Sequence, residues 1–92
     1  MKQEAAETLA LKALGWLASQ EDLMPVFLGS TGASIDDVKS RASEAEFLGS
    51  VLDFLLMDDR WVLDFATCEG IRPESVMTAR QGLPGGESRH WT

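Results

Sequence analysis

The sequence predicts an all-α fold: a compact orthogonal bundle of five or six short helices with a short C-terminal tail. Two long segments carry apolar residues at helical spacing. The remaining segments are short, and residues that typically start or end helices mark their boundaries. Strand signals are absent, because no period-two alternation persists and no Asn-Gly or Asp-Gly pair joins two apolar runs.

Two of the predicted helices are apolar over a wide arc and should form the centre of the bundle. The first spans residues 3–19, where Gly15 indicates the close approach of another backbone. The fourth runs to about Met57 and begins with a capping box, in which Ser43 and Glu46 bond to the backbone of the first turn. A helix that is apolar over most of its circumference is expected to be surrounded by others.

The remaining helices are short and are predicted mainly from their ends. The residues expected to start or end them are Asp22 and Gly29 for the second, Ser34 for the third, Asp58 or Asp59 and Gly70 for the fifth, and Pro73 and Gly82 for the sixth. Gly82 is expected to adopt the left-handed conformation, with Leu83 folding back as an apolar cap.

The chain is long enough for one domain with one modest core. We predict a single helical domain over residues 1–83 and a partly flexible tail over residues 84–92. Cys68 falls on the apolar stripe of the fifth helix, so we expect it to be a small buried hydrophobe. The predicted core residues are Leu9, Ala13, Trp16, Leu17, Phe47, Val51, Leu52, Phe54, Leu55, Trp61 and Phe65.

The charge balance argues against nucleic acid and anionic membranes as partners. The chain has 15 acidic and 8 basic residues and a net charge of −7, and no two basic residues are adjacent. No apolar run approaches the length of a membrane span, and the N-terminus lacks the pattern of a signal peptide. With a lone cysteine besides, the expected location is cytoplasmic.

No pattern in the sequence predicts a catalytic, cofactor-binding or metal-binding residue, and no cofactor is expected. The acidic residues between 53 and 69 lack the alternating loop pattern of a calcium site. Cys68 and His90 lie in different segments, which argues against a nucleophile and its base. The LGSTG segment at 28–32 has neither the lysine nor the preceding strand of a phosphate-binding loop.

The C-terminal segment LPGGESRHWT holds the residues that we single out for partner contact, His90 and Trp91. Pro84 and the two glycines after it act as a helix stop and a hinge. Beyond the hinge, Trp91 either packs back on the bundle or anchors a partner, with His90 adjusting that contact near neutral pH.

Four segments, ALKALGWLA (10–18), FLGSTG (27–32), EFLGSVLDFLLMDD (46–59) and the LPGG and HW of the tail, resemble an uncharacterised family of short bacterial proteins. That family is known only as a domain of unknown function. The resemblance covers nearly the whole chain and implies a small, stand-alone, helical cytoplasmic protein. It implies no catalytic or binding residue.

The sequence therefore favours a non-enzymatic helical module that binds an unidentified protein partner, as a monomer or a weak homodimer. The alternative is an enzyme or small-ligand-binding protein with a shallow pocket lined by Asp, Arg and Trp. An exposed apolar groove would favour the module, and a deep polar cavity would favour the alternative.

Overall fold

The computed structural model describes residues 1–84, and within that range the chain forms helices and no strand. The helices are α1 (Gln3–Ala18), α2 (Leu23–Thr31), α3 (Ile35–Arg41), α4 (Ala45–Leu55), α5 (Asp59–Glu69) and α6 (Glu74–Gln81). The predicted all-α class is therefore confirmed. The described residues form six helices, the larger of the two numbers expected.

The bundle is organised around α1 and α4, the predicted central pair, which share the most extensive helix–helix contact in the described part of the chain. α6 packs against both of them. The buried face of α1 is small in its first half, where Ala6, Ala10 and Ala13 are fully buried, and bulky in its second half, where Trp16 and Leu17 are buried. Small side chains let the start of α1 approach its neighbours closely, and the large side chains near its end fill the core.

The predicted core residues are buried except for Leu9 and Trp61, which pack against the core while remaining half-exposed. Cys68 is exposed, so the prediction of a buried cysteine is wrong. The buried stripe of α5 consists of Val62, Phe65 and Ala66. At about 100° per residue, Cys68 lies about 120° around the helix from Val62, beyond the edge of that stripe.

The capping box occurs at the start of α3 rather than α4. The Ser34 hydroxyl accepts a bond from the Asp37 amide at 3.1 Å, and the Asp37 carboxylate accepts one from the Ser34 amide at 3.0 Å. The predicted box at Ser43 is absent, because α4 begins one residue later, with Glu44 at the N-cap and no side-chain cap. α4 also ends at Leu55, short of the predicted end.

Glycine ends two of the helices in the left-handed conformation, at Gly32 (φ 74°) and at Gly70 (φ 70°). Gly70 was predicted; Gly29 was not the end of α2, which continues two residues further before Gly32 supplies the left-handed turn. Gly82 ends α6 as predicted but with φ −82°, so its expected left-handed conformation is wrong. Leu83 does fold back and is buried.

The close approach of another backbone, which was expected at Gly15, is found at Gly82 instead. No atom lies within 4 Å of a Cβ placed at Gly15, whereas one placed at Gly82 would lie 2.9 Å from the Met1 carbonyl oxygen and 3.2 Å from the Ala6 Cβ. The end of α6 therefore rests directly on the start of α1.

Candidate functional site

The two residues predicted to contact a partner, His90 and Trp91, lie outside the described residues. The last described residue is Pro84, and its carbonyl oxygen accepts a hydrogen bond from Arg80 Nη1 at 3.2 Å. The structure therefore defines the position from which the chain continues to these two residues.

An open apolar groove of about 360 Å³ runs between α1 and the end of α5. Its apolar lining comes from Ala5 and Leu9 on α1, Phe65 on α5 and Ile71 in the connection to α6. Thr8, Lys12 and Glu69 complete the lining, so an apolar floor has one cationic and one anionic side chain beside it.

Sequence reasoning assigned Leu9 to the core, where it is only partly buried, and so missed this groove; the core assignment of Phe65 is confirmed, since its side chain is fully buried beneath the groove. The spacing of Ala5, Leu9 and Lys12 at i, i+4 and i+7 places them on one face of α1, which the sequence does show. What the spacing does not show is that α5 and the Ile71 connection stand beside this face and leave it partly uncovered. The half-exposure of Leu9 follows from that arrangement.

A second, more polar depression of about 280 Å³ lies where the α1–α2 connection meets the start of α5. Its lining residues are Gln20, Asp22, Leu23, Arg60, Trp61 and Asp64. The Trp61 ring is stacked on Phe54, with ring centroids 4.7 Å apart and planes at 17°. This arrangement is shallow and contains the Asp, Arg and Trp side chains of the alternative predicted from the sequence.

Arg80 is the charged side chain buried within the described core, with 7% of its surface exposed. Its Nε donates to Asp53 Oδ1 at 2.6 Å, and its Nη2 donates to Asp53 Oδ2 at 3.2 Å. The side chain of Asp53 is 30% exposed and faces α6. The position of Arg80, one turn after the buried Val76, could have indicated that Arg80 is buried, but it does not indicate Asp53 as the partner.

Two acidic residues have a lowered pKa, and both act as helix caps. The bond from the Ser34 amide is the main cause that lowers the pKa of Asp37, and the bond from the Arg60 amide lowers the pKa of Asp58. Within residues 1–84 no three His, Cys, Asp or Glu side chains are grouped so that they could hold a metal ion. In the same range no helix is long and apolar enough to cross a membrane.

The fold and these surfaces define a small all-α protein with an open apolar groove between two helices. A family model described as "Protein of unknown function (DUF3572)" matches residues 3–86, and the chain belongs to that family. The resemblance seen in the sequence is thereby confirmed. No match is found among curated proteins or among solved structures.

Proposed function

We propose that the protein is a non-enzymatic interaction module whose α1–α5 groove receives a segment of a partner protein. The observation that carries the proposal is the groove itself, in which Leu9 of α1 and Ile71 of the α5–α6 connection are only partly buried. Apolar surface that is concave and rimmed by polar residues is typical of sites that bind apolar side chains of a partner.

The partner segment that suits this surface carries one bulky apolar side chain and flanking basic residues. The apolar side chain would rest on Leu9 and Ile71, above the fully buried Phe65, and a basic residue would pair with Glu69 at the rim. The net charge of −7 favours a basic segment further, because opposite long-range charge speeds the encounter of two proteins.

His90 and Trp91 supply a second contact in this proposal. Trp91 is the seventh residue after Pro84, and seven extended residues span at most about 25 Å. The described bundle measures 29 × 25 × 25 Å, so Trp91 has the reach to contact a partner held in the groove. Its indole ring is a side chain that often anchors interfaces.

A pair of matched substitutions tests the groove. Ala5→Arg places a long cation at an exposed position in the groove, where it obstructs the site and repels a basic segment. Ala18→Arg makes the same change at an exposed position of α1 outside the groove. Capture from native cell extract, followed by cross-linking and mass spectrometry, should yield a basic partner segment cross-linked at Lys12 with the wild type and Ala18→Arg, and not with Ala5→Arg. Equal capture by both variants would contradict a groove site.

Deleting residues 87–92 tests the second contact. The proposal expects an unchanged melting temperature and weaker capture, because Trp91 then contacts the partner and not the bundle. A lower melting temperature with shifted core resonances would instead show that Trp91 packs on the bundle.

The polar depression supports a second candidate function, the binding of a small zwitterionic ligand. Arg60 could hold a carboxylate and Asp22 or Asp64 an ammonium group, with Trp61 beneath them. An NMR titration with mixed free amino acids checks it. This function requires a saturable shift of the Trp61 Nε1–H resonance that Asp64→Asn weakens and Asp36→Asn, at an exposed carboxylate on α3, leaves unchanged.

A further inference from the structure

Arg80 makes three hydrogen bonds that join α6, α4 and the end of the described chain. Two go to the carboxylate of Asp53 on α4, and the third goes from Nη1 to the Pro84 carbonyl oxygen. The guanidinium is planar and rigid, so fixing two of its nitrogen atoms on one carboxylate also fixes the direction of the third.

α4 is shaped to receive this group. A Cβ at Gly49 would lie 3.1 Å from Arg80 Nη1 and 3.3 Å from Cζ, so the guanidinium rests almost directly on the helix backbone at that residue. Gly49 and Asp53 are four residues apart and share one face of α4. One residue gives the guanidinium room and the other binds it.

Stability alone does not account for this pair, in which Arg80 is buried and the Asp53 side chain is 30% exposed. Burying the Arg80 guanidinium costs desolvation free energy, and well-packed apolar residues often replace buried pairs without loss of stability. Leu83, which is 3% exposed, already holds the chain to the bundle by apolar contact. Apolar contact fixes a position but has little directional preference, whereas the bond to Pro84 orients the peptide group from which the following residues continue.

We propose that Gly49, Asp53 and Arg80 form a clamp that fixes the orientation of the Pro84 peptide group, from which residues 85–92 continue. Arg80 is then a positioning residue for the contact proposed for His90 and Trp91, and in this respect the inference rests on the proposed function. The clamp itself is a property of the free protein and is tested without any partner.

The test compares the wild type with Arg80→Lys and with the double variant Arg80→Met/Asp53→Leu. Lysine keeps the charge but lacks the rigid fork, and the double variant replaces the pair by apolar side chains of similar size. The Pro84 carbonyl carbon shift reports the hydrogen bond directly, and the heteronuclear NOE of the Gly85 amide reports order just beyond it. Leu83 methyl shifts and the melting transition report the fold.

The clamp predicts that both variants melt cooperatively with Leu83 methyl shifts close to those of the wild type. The Pro84 carbonyl resonance should move upfield and the Gly85 NOE should fall in both. Unchanged Pro84 and Gly85 signals in a folded double variant overturn the clamp. A double variant that does not fold also overturns it, because the pair would then serve the fold itself. Changed signals with undiminished partner capture would leave the clamp intact and refute its link to the proposed function.

Discussion

Gly15 and Gly49 both lie within helices, but their surroundings are opposite. Nothing lies within 4 Å of a Cβ added at Gly15, whereas a Cβ at Gly49 would press on the guanidinium of Arg80 at 3.1 Å. Alanine favours a helix interior over glycine by about 1 kcal/mol at either position. Only at Gly49 does a bonded neighbour oppose that gain, since Arg80 is held by Asp53 and Pro84.

The two glycine-to-alanine variants should therefore differ in stability. Gly15→Ala is expected to raise the free energy of unfolding by up to about 1 kcal/mol, which corresponds to about 4–8 °C in Tm for a domain of this size. Gly49→Ala is expected to melt below Gly15→Ala and no higher than the wild type. Thermal denaturation followed by circular dichroism checks this, and equal gains in both variants would show that Arg80 yields freely.

The Ser34–Asp37 capping box has a consequence for the titration of Asp37. Hydrogen bonds of the Asp37 carboxyl with the backbone amide and the hydroxyl of Ser34 lower the pKa of Asp37 below its ordinary value of 3.8. Because the folded-state pKa is below the unfolded one, the stabilisation is present above the unfolded pKa and is lost as pH falls through the folded value. Ser34→Ala keeps the amide bond that is the main cause of the lowered pKa and removes the hydroxyl, so it should raise the pKa of Asp37 only part of the way in an NMR titration of its carboxyl carbon. Ser40→Ala, on the same helix, should leave that pKa unchanged. A pKa of Asp37 that Ser34→Ala also leaves unchanged would show that the Ser34 hydroxyl does not contribute to the lowering.

At the scale of whole helices, the apolar periodicity of the sequence predicted the presence of the helices and the all-α class better than it predicted where each helix begins and ends. Helix α1 and the buried face of α4 follow from the apolar spacing alone. The end of α2 was misplaced because Gly29 and Gly32 both satisfy the composition of a helix end, and only the left-handed φ of Gly32 decides between them. The box assigned to Ser43 failed for a similar reason: the residue types fit, but the helix begins elsewhere.

The surfaces between helices were less predictable than the helices. The face of α1 that carries Leu9 is apolar in the sequence, but its exposure depends on how far α5 covers it. The Arg80–Asp53 pair joins residues 27 positions apart, and no local pattern links them. Both features arise from how helices are arranged in space, which the spacing of residues along one helix does not encode.

The centre of α1 is tested by Trp16→Ala. Trp16 is 8% exposed, and its ring meets Phe65 edge to face with centroids 5.9 Å apart. Truncation should cost about 3–5 kcal/mol, because it removes a large buried ring and leaves a cavity between α1 and α5. Leu11→Ala, on the same helix at a side chain that is 51% exposed, should cost less than about 1 kcal/mol. Similar costs in urea denaturation would contradict the assignment of the buried face.

For the molecule as a whole, the acidic excess argues against nucleic acid as a partner. A net charge of −7 repels a phosphate backbone, and the basic residues are too dispersed to release counterions cooperatively. Of the basic side chains in the described part of the chain, Arg80 is buried against Asp53 and so is not offered to a partner.

We therefore expect no appreciable binding to duplex DNA near physiological salt. Fluorescence anisotropy with a labelled duplex of mixed sequence should show no saturable rise at micromolar protein. A micromolar affinity that weakens steeply with salt would refute this expectation and would point to α3 and α4 as a helix-turn-helix reader.

The contact of Gly82 with the Met1 carbonyl and with Ala6 brings the two ends of the bundle together. We expect the chain to tolerate circular permutation, because a short glycine linker from Pro84 to Met1 would close the backbone into a ring without moving a helix. Opening that ring between Gly32 and Ala33, in the connection after α2, should give a circular permutant with the parent's helix content and a single melting transition. If the permutant is unfolded by circular dichroism, the bundle depends on the order in which its helices are joined, beyond the contacts they make.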